Sequence, residues 1–113
     1  MTEQTITMIN GINTRKLGEK AETFENEPEM AKFKFRAHNR WIGGGHNQTT
    51  VTGFYGMGQD IPHAVSFKLD ADEPPLLVGT DMGANPVEHM LHALVSCLTS
   101  SMVYHAAVRG IHI

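Results

Sequence analysis

The fold is decided by residues 85–110, which read NPVEHMLHALVSCLTSSMVYHAAVRG. Asn85, Pro86 and Glu88 form a capping-box pattern, with an amide at the N-cap, the favoured proline at the first helical position and a glutamate at the third. Apolar residues recur at helical spacing through the stretch, and Gly110 follows as a residue that ends helices. The stretch therefore predicts one helix over residues 86–109, roughly 36 Å long.

This helix is apolar over more than one stripe, so it requires cover on several sides. Glu88, His89, His92 and His105 interrupt the apolar run, which favours a buried core helix over a membrane span. A three-stranded sheet covers only one side of such a helix. Either a partner subunit covers the rest, or residues that belong to the fold are missing, since residues 111–113 resemble the start of a further strand.

Upstream of the helix, the hydrophobic pattern predicts a second helix and three strands. Residues 14–26 carry a thin apolar stripe, with Asn13 as the N-cap and Pro28 as the stop signal. Alternating residues then predict an antiparallel meander with strands at 33–42, 49–54 and 63–70. Glycine-rich loops at 43–47 and 56–62 join these strands. The expected fold class is α+β, a three-stranded antiparallel meander packed on a long central helix.

Composition narrows the possible functions. The 113 residues suit one domain, and 41% hydrophobic with 19% charged residues are typical of a globular chain. The net charge is −3 and no basic cluster is visible, which argues against a nucleic-acid partner. The N-terminus lacks a signal-peptide pattern, and one cysteine cannot form an intrachain disulfide. We therefore expect a cytoplasmic protein with neither a nucleic-acid nor a membrane partner.

The single cysteine, Cys97, lies in the middle of the predicted long helix. A free cysteine is most often a small buried hydrophobe. A thiol becomes reactive at a helix N-terminus or beside a cation, so a reactive Cys97 requires a cation from another part of the fold. Arg36, Arg40 and His46, around the first hairpin, are the candidates.

Two histidines of the same helix offer a weaker alternative. His89 and His92 are spaced to share a face, but no third ligand completes a metal site. Metal binding is therefore a distant third hypothesis, and we expect neither a metal nor a cofactor. Glu88 suits its capping position at the third helical residue.

Several motifs occur together in one order. They are FKLDADEP at residues 67–74, LVGTD at residues 77–81, GANPVEHMLHALVSCL at residues 83–98, and WIGGGH at residues 41–46 after Phe35 and Arg36. In this combination the chain resembles the OsmC-like family of osmotically induced and organic-hydroperoxide-resistance proteins. The resemblance extends from about residue 11 to the C-terminus, and the spacing from Asn-Pro-x-Glu to the cysteine is its most specific part.

The resemblance implies an intertwined homodimer in which long central helices lie between sheets formed by both subunits. It also implies a stress-response oxidoreductase, a thiol peroxidase acting on small organic hydroperoxides. In such enzymes a peroxidatic cysteine attacks the O–O bond, an arginine and a glutamate assist, a second cysteine resolves the sulfenic acid, and an external dithiol reduces the disulfide. Cys97 matches the peroxidatic position.

The chain departs from this pattern in three places. Val87 occupies the position of the activating glutamate, one residue before Glu88, and His46 lies where the arginine is expected, with Arg36 and Arg40 as other candidates. The second cysteine belongs to a later helix that this chain does not reach. We interpret residues 1–113 as one OsmC-like domain that lacks the family's C-terminal strands and second helix.

Two hypotheses for function follow. The first is a hydroperoxide reductase that uses Cys97 with an external thiol. The alternative is a non-catalytic, dimeric binding or structural protein of the same fold that lacks the resolving cysteine.

Overall fold

The computed structural model describes residues 7–113 as a mixed α+β chain with antiparallel sheets and a C-terminal helix. Two short 3-10 helices occur at Pro28–Ala31 and Pro75–Leu77. The other elements, in chain order, are β1 (Met8–Ile9), β2 (Ile12–Asn13), α1 (Thr14–Asn26), β3 (Phe33–Phe35), β4 (His38–Gly43), β5 (His46–Gly56), β6 (Gln59–Ala71) and α2 (Pro86–Val108).

The first helix confirms its predicted bounds and its cap. The Asn13 side chain accepts a hydrogen bond from the Lys16 backbone N–H at 3.0 Å, and Pro28 follows the helix directly. The hairpin of β1 and β2 was not predicted. It turns at Asn10 and Gly11, which have φ angles of 52° and 79°. The dipeptide Asn-Gly favours left-handed conformations at both positions, so this turn could have been predicted from the sequence.

The predicted antiparallel meander is confirmed, with differences in its strand ends. β5 is the central strand: β3 and β4 pair with one edge of it and β6 with the other. The predicted first strand is divided into β3 and β4. The predicted loop at residues 56–62 is a tight turn at Met57 and Gly58, with φ of 50° and 80°. β6 therefore begins earlier, and it includes Pro62 where its register with β5 shifts, a place where a strand tolerates proline.

One face of the sheet carries a chain of aromatic contacts. Phe33, Phe35 and Phe54 stack with ring centroids 5.6–6.2 Å apart. His63 continues the chain from Phe54 to Phe67 at 5.4 and 4.9 Å. Helix α1 contacts this array at one end, where Phe24 meets Phe33 edge to face. Phe33, Phe35 and Phe67 are exposed, whereas Phe54 and His63 are half-buried.

The long helix confirms both of its predicted ends. The Asn85 side chain accepts from the Glu88 N–H at 2.8 Å, and the Glu88 carboxylate accepts from the Asn85 N–H at 2.9 Å, which completes the capping box. At the other end Gly110 has φ of 70°. The N–H groups of Gly110 and Ile111 donate to the carbonyls of Ala107 and Ala106, which is a Schellman motif.

Within one chain the sheet does not cover this helix. Only 6% of the most apolar 18-residue window of α2 is buried, and among the described residues Ala107 is the only fully buried apolar side chain. The reason is geometric: α2 leaves the sheet beyond the end of β6 and is held at its two ends. By length and composition α2 also meets the criterion for crossing a membrane, a property shared by core helices of other proteins.

The C-terminal end of α2 is tied to the first hairpin. The Asn10 side chain donates to the Ile111 carbonyl at 2.8 Å and accepts from the Ile113 N–H at 2.9 Å. Residues 111–113 do not form the strand that their alternation predicted, because these hydrogen bonds go to a side chain and not to a neighbouring strand.

Two glycine substitutions test how α2 is attached to the sheet. A Cβ at Gly83 would overlap the Asp70 carbonyl, whereas Gly18 of α1 has open space around it. We expect Gly83→Ala to lower the free energy of unfolding by about 1–3 kcal/mol through overpacking. Gly18→Ala should raise it by roughly 0.5–1 kcal/mol through helix propensity. Urea unfolding followed by circular dichroism measures both, and equal effects would contradict the close contact at Gly83.

Candidate thiol site

Cys97 lies at the midpoint of α2 and is exposed. The interpretation of a buried structural cysteine therefore fails for the single chain. Its neighbours one turn away on the helix surface are Ala93 and Leu94 on one side and Ser100 and Ser101 on the other. A thiol in this setting is accessible to a small molecule and lies between an apolar and a hydroxyl-bearing part of the helix surface.

Glu88 is separated from Cys97 along the same helix. The rise of an α-helix places the two residues about 13.5 Å apart along the axis. The Glu88 carboxylate is also engaged with the Asn85 N–H in the capping box. Within one chain Glu88 caps the helix and does not contact Cys97.

The three hairpin candidates lie at different places on the sheet. Arg36 donates to Asp60 at 3.1 Å, near the turn at Met57. His46, at the opposite end of β5, donates through Nε2 to Asp70 at 2.8 Å. The ten residue steps of β5 separate its two ends by roughly 33 Å. Arg40 lies between them on β4, where it is exposed and pairs in register with Gln48.

The structure therefore does not bring the five predicted site residues together within one chain. Between residues 7 and 113 no hydrogen bond or ion pair joins Cys97 to any of the other four, which are Arg36, Arg40, His46 and Glu88. No cavity is found in the described part of the chain. A working thiol site requires groups from outside this arrangement.

Asp70 is a junction that the sequence did not reveal. Its carboxylate accepts hydrogen bonds from His46 at 2.8 Å and Gln48 at 3.3 Å, and its carbonyl accepts from His89 Nε2 at 2.9 Å. The hydrogen bond from His46 is the main cause that lowers the pKa of Asp70, with Gln48 contributing. Asp70 thus joins β5, β6 and the start of α2. The sequence held no local signal for this junction, because its partners are 19–24 residues away along the chain.

His89 is hydrogen-bonded within this junction. This contact affects the hypothesis that His89 and His92 bind a metal ion. The His89 Nε2 donates to a carbonyl and is not free to bind a metal in this arrangement. Within residues 7–113 no group of three or more His, Cys, Asp or Glu side chains is placed to hold a metal ion.

Asp72 anchors the loop that leads from β6 to α2. It is 1% exposed, and its carboxylate accepts from Thr80 Oγ1 at 2.5 Å and from the N–H groups of Glu73 and Met82. The bond from Thr80, foremost, lowers the pKa of Asp72 to about 2, although burial acts in the opposite direction. The sequence showed only an acidic, proline-rich loop here.

Comparison with known proteins adds no assignment. No protein-family model matches the sequence, and a search of curated proteins returned no match. The resemblance to the OsmC-like family therefore depends on the motifs quoted above.

The lowered pKa of Asp72 predicts that the stability of this loop falls in acid. Because its pKa is about 2 in the folded chain against 3.8 ordinarily, its stabilisation is present above about pH 4 and is lost as the pH falls toward 2. We expect Asp72→Asn to lower the thermal unfolding midpoint at neutral pH, and the difference from wild type to shrink across that window. Asp60→Asn, at an exposed ion pair, is the control. A difference independent of pH would contradict the role of the carboxylate.

Proposed function

We propose that this chain is a thiol-dependent peroxidase of the OsmC type that reduces small organic hydroperoxides through Cys97. The observation that carries the proposal is the exposed thiol at the midpoint of α2, the helix that holds the motif running from Asn-Pro-x-Glu to cysteine. Leu94, one turn before the thiol, offers an apolar contact that favours an organic hydroperoxide over a fully polar one. We also propose a cytoplasmic location, since a lone thiol is typical of reducing compartments.

The proposed chemistry is a two-electron reduction of the peroxide. The Cys97 thiolate attacks one peroxide oxygen, the O–O bond breaks, and the alcohol leaves with a proton while the cysteine becomes a sulfenic acid. An external dithiol then attacks the sulfenic sulfur and releases water as a mixed disulfide forms. The second thiol of the reductant displaces Cys97 and restores it. No metal or cofactor enters these steps.

We propose that a second copy of the chain completes the site in a homodimer. Eight apolar side chains of α2, between Val87 and Val108, are more than half exposed, and the aromatic sheet face is open as well. One partner of a stable interface contributes about 800 Å², and extended apolar surfaces of this kind mark such interfaces. The helix of each copy would cover the sheet of the other, as in the intertwined family dimer.

The same assembly would supply the missing cation. In one chain Arg36 and His46 are held by Asp60 and Asp70, and Arg40 extends from the middle of β4. A sheet from the second copy, laid over α2, would bring a hairpin cation toward Cys97. A cation at about 4–6 Å stabilises a thiolate, so this contact decides whether the thiol reacts.

The alternative function is a non-catalytic dimeric binding or structural protein. The contacts of Arg36 with Asp60 and of His46 with Asp70 favour it, because side chains already held by carboxylates are less available to a thiol. The two functions share the dimer and differ in the reactivity of Cys97.

The thiol chemistry has a direct test. Reduced protein treated with cumene hydroperoxide and dimedone should gain one adduct at Cys97 by mass spectrometry, because dimedone captures a sulfenic acid. Ser100→Ala, one turn further along α2, should behave as wild type, and Cys97→Ser should give no adduct. Hydroperoxide should be consumed repeatedly only when dihydrolipoamide is present. An unreactive Cys97 would support the binding protein, and repeated turnover without any thiol would contradict the proposed cycle.

The assembly is tested separately by sedimentation equilibrium. We expect a dimer at micromolar concentration that buries the surface around Met90, Leu94 and Leu98. Leu94→Lys should give a folded monomer, because Leu94 is already exposed in the single chain and a charge is costly only in the interface. Ala21→Lys, on exposed α1, should remain dimeric. A wild-type monomer would overturn the proposed dimer.

A further inference from the structure

Two imidazole rings from distant parts of the chain bind the same residue of β6. His46, the first residue of β5, contacts the Asp70 carboxylate through Nε2 at 2.8 Å. His89, in the first turn of α2, contacts the main-chain carbonyl of Asp70 through Nε2 at 2.9 Å. Gln48 supports the same carboxylate at 3.3 Å. The sheet and the start of α2 are therefore joined through two groups of the kind that titrates near neutral pH.

The other contacts at the start of α2 do not respond to pH near neutrality. The main chains of Ala71 and Ala84 form an isolated bridge, and the Asp72 N–H donates to the Ala84 carbonyl at 3.3 Å. The Asp72 carboxylate also anchors this loop, but its pKa is about 2, so it stays charged near neutral pH. The apolar side chains of α2 give little support, because only 6% of its most apolar window is buried. Among residues 7–113, the junction at Asp70 is thus the contact through which pH acts on the attachment of α2.

The surroundings of His46 favour a positive charge on its ring. The titratable and charged groups that face the junction from the neighbouring elements are Asp70 and Lys68 of β6, Arg40 of β4, Asp72 and Glu73 of the following loop, and His89 of α2. Of these groups, Asp70 is the one in direct contact with the His46 ring. The His46 side chain is only 16% exposed, so water screens this contact less than it screens an open surface pair.

Protonation of His46 changes the strength of the contact and not its geometry. An imidazole Nε2 can donate to a carboxylate both in the neutral ring and in the imidazolium ion. A hydrogen bond in which the partners are ionised is roughly twice as strong as a neutral one. The hydrogen bond from His46 also lowers the pKa of Asp70, which keeps this carboxylate charged throughout the range in which imidazole titrates. The contact is therefore strongest in mildly acidic solution and weakens as the imidazole loses its proton.

We propose that the junction of His46, Asp70 and His89 is a pH-sensitive clamp, which holds the first turn of α2 on the sheet more firmly in mildly acidic than in mildly alkaline solution. His46 supplies the charge that changes, Asp70 supplies the fixed charge, and His89 connects both to the helix. Because a proton on His46 strengthens the clamp, its full stabilisation is present below the titration range of imidazole and is lost as the pH rises through that range. The clamp acts on the helix that carries Cys97, but it does not depend on the proposed thiol chemistry.

Amide hydrogen exchange of the full chain, followed by NMR, tests the clamp. The exchange rates of residues 88–90 are divided by the intrinsic rates of an unstructured peptide at each pH. In wild type this protection should fall by about threefold between about pH 5.5 and about pH 8. His46→Gln should remove most of the fall, because the glutamine amide keeps an N–H donor but does not titrate. Asp70→Asn should remove it as well, since the fixed charge is then absent.

His38→Gln is the matched control. His38 is an exposed histidine of β4 that makes no hydrogen bond or ion pair within residues 7–113, so its variant should keep the wild-type pH dependence. Urea unfolding at the same two pH values gives a second measurement that does not depend on exchange. The stability of wild type relative to His46→Gln should be greater at the lower pH.

The outcomes decide the proposal without involving the thiol. A pH dependence that is lost in His46→Gln and Asp70→Asn but kept in His38→Gln would support the clamp. Equal pH dependence in wild type and His46→Gln would overturn it and assign the change to His89 or His92. A wild type whose protection and stability do not change with pH would overturn it as well. The sulfenic acid assay of Cys97 is separate, so failure of the clamp leaves the proposed peroxidase standing.

Discussion

The structure depends on the exposed apolar surface of one helix. Burying a single side chain such as Leu94 is worth roughly 1.5–3 kcal/mol, and α2 leaves eight apolar side chains more than half exposed. Ala107 is the one fully buried apolar side chain of residues 7–113. The burial of apolar side chains therefore adds little to the stability of a single chain. The burial of the apolar surface of α2 is therefore the main contribution that decides whether the fold is stable.

The two ends of α2 are fixed while its middle is open. Asp70 and Asp72 hold the first turn against β6 and its loop, and Asn10 holds the residues after the last turn. Local polar contacts thus position the helix without covering its apolar side chains. Cys97 lies at the open middle, where any molecule that covers the helix also determines the environment of the thiol. In the proposed dimer, assembly and thiol reactivity would consequently be linked.

Elements governed by local chemistry could be predicted from the sequence. Asn13 and Pro28 set the ends of α1, the capping box and Gly110 set those of α2, and alternation located the meander. The break between β3 and β4 and the register shift at Pro62 could not, because they depend on pairing across the sheet.

The candidate site was less predictable than the fold. Cys97, Arg36, Arg40, His46 and Glu88 were chosen by residue type and by resemblance, and the chain separates them. The roles of Asp70 and Asp72 could not be predicted, because they arise from hydrogen bonds to residues distant in the sequence. The apolar periodicity of α2 indicated that the helix needs cover, but spacing and periodicity do not tell which side chains would meet Cys97.

The central claim is that a second copy covers α2, and hydrogen exchange tests it most directly. Amide exchange of α2 and of the β3–β6 sheet is followed by mass spectrometry at high and at low protein concentration. The account predicts that the middle of α2, around Cys97, is strongly protected at high concentration and loses protection on dilution, while α1 changes little. Rapid exchange of α2 at every concentration, or protection that does not depend on concentration, would contradict the claim.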